Sequence, residues 1–108
     1  MKIFHAYYVY ILQCADGSYY TGMTNNVERR MQEHEQGLDP KCYTFARRPL
    51  VLKYTELYKL VNDAIAREKQ IKRWSRKKKE ALMNERYDEL RQLAKNNMKR
   101  ASEPQGTD

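Results

Sequence analysis

Two short β-rich runs, Tyr7 to Cys14 and Ser18 to Gly22, flank Ala15-Asp16-Gly17, and that spacing leaves this part of the chain few ways to fold. Asp-Gly is a hairpin-turn signal, so the runs are predicted to pair antiparallel. Loop length then decides which side chains share a face. A two-residue Asp16-Gly17 loop would pair Gln13 with Tyr20 and send Tyr10 to the opposite face. A three-residue loop, with a type I turn and a left-handed Gly17, pairs Leu12 with Tyr20 and sets Tyr10 opposite Gly22. Both phenols then project from one face, and the absent side chain of Gly22 leaves space beside them.

A helix is predicted to follow. Asn25 with Glu28 three residues on has the pattern of an N-cap and capping box, and Gly37 supplies a C-terminal stop. Arg30 and His34, four apart, share one helical face. Tyr8-Val9-Tyr10, Tyr20-Thr21-Gly22 and Arg30-x-x-x-His34, in this order and spacing, resemble the GIY-YIG endonuclease superfamily over roughly Tyr7 to Leu82. The resemblance implies a fold and a set of roles. Tyr10 would be the general base on water, supported by Tyr20, with Arg30 on the scissile phosphate and His34 orienting or assisting the base. Glu68, on a downstream helix, would hold one divalent ion, with Mg²⁺ the natural choice because it takes few carboxylates and keeps several waters. Three positions depart from the family's pattern: Tyr8 stands where the family name has Gly, Met23 follows Gly22 where some branches have Lys, and Asn84 is only a distant candidate for the Asn that often follows the metal glutamate.

The 108 residues carry a net charge of +7 and a pI near 9.5, which implies an anionic partner. Nine tyrosines among basic residues favour nucleic acid over a membrane surface. DNA rather than RNA is implied by the resemblance alone. No apolar run approaches membrane-spanning length, and the N-terminus has no signal-peptide hydrophobic region, so the protein is expected in the cytoplasm. Cys14 and Cys42 lack metal-ligand spacing with His5 or His34; they are expected to be reduced and receive no role.

Leu38 to Pro49 reads as a loop, punctuated by Asp39-Pro40 and Arg48-Pro49. Its Lys41, Tyr43, Arg47 and Arg48 either hold phosphates and stack on bases or belong to a solvated connector with aromatic anchors. Leu50 to Leu57 is predicted as the third strand. A helix from Asp63 to Trp74, capped by Asn62, presents Ala64, Ile65 and Ile71 on an apolar face that Glu68 shares. A carboxylate aimed there needs a cation, which is either a metal or Lys72 four residues on.

From Lys69 to Lys79 the chain holds Lys69, Lys72, Arg73, Arg76, Lys77, Lys78 and Lys79 with no acid between them. Such a run is either a solvated face or a grip on a phosphate backbone; Lys69, Lys72, Arg73, Arg76, Lys77 and Lys79 are the candidates for binding. Ser75 is predicted to cap a helix from Arg76 to Met83, with Trp74 as a core anchor at the junction. Tyr87, Leu90, Leu93 and Ala94 mark a further amphipathic helix, so the expected organisation is a domain over 1–84, a helical extension over 85–100 and a disordered tail over 101–108. The expected fold class is α/β, a small three-stranded antiparallel sheet flanked by helices. Three functions are compatible with this reading: a metal-dependent DNA endonuclease, a nuclease-like module that binds nucleic acid without cutting, and a protein-interaction domain whose tyrosines are packing residues.

Overall fold

Gly17 sits at φ 86°, in the left-handed region, and closes the turn between the first two strands. In the computed structural model, which describes residues 5–84, these strands are β1 (Tyr7–Gln13) and β2 (Tyr19–Thr24). The Gly17 amide donates to the Cys14 carbonyl at 2.9 Å and the Cys14 amide to the Ser18 carbonyl at 2.8 Å, leaving a three-residue loop. Asp16 Oδ1 accepts from the Ser18 amide at 3.0 Å and from its hydroxyl at 2.6 Å. Leu12 therefore lies opposite Tyr20 and Tyr10 opposite Gly22, the parity expected of that loop.

The third strand, β3 (Val51–Tyr58), begins one residue later than expected and pairs antiparallel with β1, giving the sheet order β2-β1-β3. A register shift between Ile11 and Leu12 marks an irregularity in this pairing. As the central strand, β1 supplies the core: Val9, Ile11 and Leu12 have no exposed surface and Tyr10 is 2% exposed. The first helix, α1 (Val27–Gln36), ends at Gly37 in the left-handed conformation, as expected. Its N-cap is Asn26, not Asn25. Asn26 has extended backbone and its side chain accepts from the Arg29 amide at 3.0 Å, whereas Asn25 Oδ1 accepts from the Arg29 guanidinium at 3.0 Å.

The second helix, α2 (Val61–Lys72), by contrast starts and ends two residues earlier than the expected Asp63 to Trp74. Leu60 is its N-cap, without a side-chain hydrogen bond, and Asn62 lies inside the first turn beside Asp63, whose charge suits the helix N-terminus. The two helices cover opposite faces of the sheet. His34 of α1 bonds Tyr10, whereas Arg67 of α2 bonds Glu56 of β3, which pairs with Val9, and adjacent strand residues point to opposite faces. On the α1 face Tyr10, Leu12, Cys14 and Leu50 pack with Tyr20 and Met31. On the α2 face Glu56 accepts from Arg67 at 2.9 and 3.0 Å and from the hydroxyls of Tyr54 and Tyr58, forming a satisfied polar cluster.

These elements form one unit, which ends at Arg73; a second begins at Trp74. Within the latter, α3 (Arg76–Met83) is capped by Ser75, whose Oγ accepts from the Lys78 amide at 3.1 Å, as its sequence predicts. Lys78 is buried, with Nζ 4.3 Å from the Trp74 ring centroid, a cation–π contact. The expected extension over 85–100 and tail over 101–108 lie outside the described residues.

Gly22 is the tightest point of the sheet. A Cβ there would overlap the Tyr10 hydroxyl and lie 2.6 Å from its Cζ. The phenol is buried and hydrogen-bonded, so it has little freedom to yield. Gly22→Ala is expected to lower stability by roughly 1–3 kcal/mol, read from denaturant unfolding. An unchanged midpoint would show that the phenol moves aside without cost.

Candidate active site

Because it passes over Gly22, the Tyr10 side chain reaches across β2, where α1 supplies its partners. The Tyr10 hydroxyl and His34 Nε2 are 2.9 Å apart, and His34 Nδ1 is 2.8 Å from Thr44 Oγ1. His34 is 3% exposed and Thr44 1%. Tyr20 completes an aromatic cluster, its ring centroid 6.3 Å from that of Tyr10 and 5.4 Å from that of His34. The Arg30 charge acts on both phenols, and its Nη1 is held by Glu33 Oε1 at 3.0 Å. The structure thus brings together four of the five residues predicted to act: Tyr10, Tyr20, Arg30 and His34.

Burial sets the proton chemistry of this cluster. It pushes Tyr10 up to about 12, against the opposing effect of the Arg30 hydrogen bond, and it also raises Tyr20. It pushes His34 below its ordinary value, helped by the Arg30 charge, so the imidazole is neutral at physiological pH. Burial alone would depress Arg30, but its hydrogen bonds with Tyr10 and Glu33 outweigh that.

Three residues that the sequence reading left without a role belong to this site. Cys42 Sγ accepts from the Thr44 hydroxyl at 3.3 Å and lies 4.0 Å from His34 Nδ1. Burial raises the thiol, yet hydrogen bonds from Thr44 and Tyr20 bring it below its ordinary value overall. Glu33 clamps Arg30. No local pattern marks Cys42 or Thr44, because both lie in a loop that the fold returns to α1; Glu33, at three residues from Arg30, was open to a helical-spacing argument.

The loop itself is held by the cations expected to bind nucleic acid. Arg47 Nε bonds Asp16 at 3.2 Å and its guanidinium lies 3.8 Å from the Tyr43 ring centroid. Arg48 donates to the carbonyls of Phe45 and Glu35, each at 2.9 Å. Tyr43 stacks on Tyr20 with centroids 6.3 Å apart. Lys41 is exposed beside this loop.

Glu68 stands apart from the four. It lies on α2, against the other face of the sheet, and Arg67 beside it reaches β3. The Glu68 side chain is 22% exposed and pairs with Lys72, 51% exposed, at 3.7 Å. Among the described residues no group of three or more His, Cys, Asp and Glu is arranged to hold a metal. A single accessible carboxylate with a loosely held partner nevertheless fits Mg²⁺, which draws most of its ligands from water and substrate phosphate. Lys69, Lys72 and Arg73 are exposed at the end of α2, and Arg76 and Lys77 are exposed on α3, where Arg76 pairs with Glu80 at 3.2 Å.

Residues 6–81 match the family described as the GIY-YIG catalytic domain. The chain belongs to the GIY-YIG family. It is similar to a UPF0213 protein of Halobacterium salinarum, 46% identical over 76 residues that span 70% of this chain and 97% of the relative. A UPF0213 protein of Bacillus pumilus is 43% identical over 75% of this chain and 82% of its own length. The solution NMR structure of a protein from E. faecalis is 36% identical, covers 80% of this chain and 88% of its own, and superposes with a TM-score of 0.53. The α/β fold and three-stranded antiparallel sheet are those of the GIY-YIG family. Membership makes this a nuclease-family domain, and among the described residues no helix is long and apolar enough to cross a membrane.

The His34 environment has a direct consequence for stability. An imidazole whose folded pKa is depressed binds fewer protons folded than unfolded, so stability falls as pH drops from the unfolded value of 6.5 toward the lower folded one. Denaturant midpoints measured across that window are expected to decline for the parent and to stay flatter for His34→Gln. Parallel curves would mean that His34 titrates as it does in the unfolded chain.

Proposed function

We propose that this protein is a metal-dependent endonuclease that hydrolyses phosphodiester bonds in DNA. The observation that supports this most is the buried Tyr10–His34 pair with Arg30 on its open side. Arg30, its side chain 31% exposed, retains donors for a phosphate while Glu33 fixes its orientation. Tyr10 acts as base by giving its proton to His34 and taking one from the attacking water, and Arg30 stabilises the phenolate meanwhile. Tyr20, tied to Arg30, keeps the guanidinium over both oxygens. Glu68, on release of Lys72, would hold the divalent cation, whose charge would be available to the phosphate and the leaving oxygen. The exposed cations Lys69, Arg73 and Lys77 contribute to holding the DNA backbone.

The Glu68–Lys72 ion pair favours one rival, a module that binds nucleic acid without cutting. Incubation of the parent with structured DNAs and RNAs, with and without Mg²⁺, separates the two. Tyr10→Phe and Glu68→Gln are each expected to reduce Mg²⁺-dependent nicking by roughly 10²- to 10⁴-fold while DNA binding persists. If Glu68 serves only Lys72, a partly exposed pair worth about 0.3–0.5 kcal/mol, Glu68→Gln leaves nicking intact and the metal assignment fails.

Reversing Lys69, Arg73 and Lys77 to Glu is expected to weaken DNA binding and flatten its dependence on salt, because fewer counterions are released. An unaltered salt slope in a binding titration would make the basic run a solvated face.

A further inference from the structure

The direction of the Thr44 hydroxyl decides how His34 is protonated. Cys42 Sγ accepts from the Thr44 hydroxyl at 3.3 Å and lies 4.0 Å from His34 Nδ1. In that contact the hydroxyl donates and the sulfur accepts. Each hydroxyl has one proton. That of Thr44 goes to sulfur, so toward His34 Nδ1, 2.8 Å away, Thr44 Oγ1 is an acceptor. His34 then carries its proton on Nδ1, and Nε2 presents a lone pair to the Tyr10 hydroxyl at 2.9 Å.

We propose that Thr44, with its hydroxyl oriented by Cys42, is a positioning residue that holds His34 as the Nδ1–H tautomer and so gives proton movement in this site a single direction. The catalytic consequence rests on the nuclease reading; the tautomer does not. With Nε2 free, the Tyr10 O–H bond breaks as its proton joins Nε2, leaving a phenolate against Arg30 and an imidazolium whose Nδ1–H stays on Thr44. The opposite tautomer would place a proton between His34 and Tyr10 and have no site to receive another. Cys42 thus acts three hydrogen bonds away from the phenol, through a loop turn that places Thr44 under the imidazole.

The chain has two histidines, and exposed His5 is an internal reference for the test. Nitrogen-15 NMR of the parent is expected to show His34 protonated at Nδ1 and unprotonated at Nε2. Thr44→Val removes the acceptor without changing shape, and is expected to shift the population toward the Nε2–H form. It should reduce kcat for nicking by roughly 10- to 100-fold with KM little changed. Thr44→Ser should restore both. Should Thr44→Val fail to fold, Cys42→Ala serves instead: it frees the Thr44 hydroxyl to donate to Nδ1 and shifts the tautomer the same way. A parent with His34 in the Nε2–H form, or a tautomer ratio unmoved by either substitution, overturns the proposal. A ratio that shifts as expected in a protein that nicks no substrate upholds the positioning role and rejects the nuclease reading.

Discussion

The 2.9 Å hydrogen bond between the Tyr10 hydroxyl and His34 Nε2 joins residues 24 positions apart, and the architecture around it supplies the conditions for that contact. Tyr10 must leave β1 on the α1 face, which the three-residue loop enforces by pairing Leu12 with Tyr20. Its ring must then cross β2, which the missing side chain of Gly22 permits. His34 must come down on the same spot, and Gly37 must end α1 there so that the chain returns Thr44 to Nδ1. The resulting contact is dry on both sides of the imidazole. A misplaced hairpin register would therefore remove the site as well as part of the core, because a one-residue slip moves every side chain to the other face.

The two faces of the sheet handle charge differently. On the α2 face, the Glu56 carboxylate accepts from Arg67 and two tyrosines, and although burial opposes it, these partners hold Glu56 below the usual carboxylate range. Donors and acceptor are matched, so the cluster ties β3 to α2. On the α1 face the phenols and the imidazole lie inside, while Arg30 has Glu33 on one side and solvent on another. Arg67 commits three nitrogens to Glu56 and Gln70, whereas Arg30 commits one to Glu33, and that difference separates an arginine that can take a further ligand from an internal strut.

Much of this was legible in the sequence where the physics is local. Asp16-Gly17 with the flanking β-rich runs specified the hairpin, and parity then placed Tyr10 and Tyr20 together; Gly37 and Ser75 marked ends of α1 and α3. Caps were less legible, because Asn25 and Asn26 are equally good residues for the position and only backbone conformation decides between them. At α2, Leu60 has no capping side chain at all, and Asn62 attracted the assignment by residue type. Cys42 and Thr44 could not be found by spacing, since their partners are His34 and Tyr20, and nothing in a loop sequence states which helix it will touch. Arg47 and Arg48 read as phosphate ligands for the same reason: their aromatic, carboxylate and carbonyl partners within and around the loop appear only in three dimensions.

A phenol pushed up to about 12 looks ill suited to act as a base near neutrality. Forming its anion freely at pH 7 would cost about 7 kcal/mol, at about 1.36 kcal/mol per pH unit, which rules out a standing phenolate as the reactive form. The same burial that imposes this cost also keeps His34 neutral and able to accept a proton 2.9 Å away. Arg30 lowers the cost while its charge is directed at the phenols, but a bound phosphate would draw on that charge too. The proton acceptor then becomes the decisive partner, because it alone is unaffected by competition from the substrate. Tyr10 is best understood as a relay that becomes basic while its own proton is leaving, and that function requires Nε2 of His34 to be unprotonated before the water arrives.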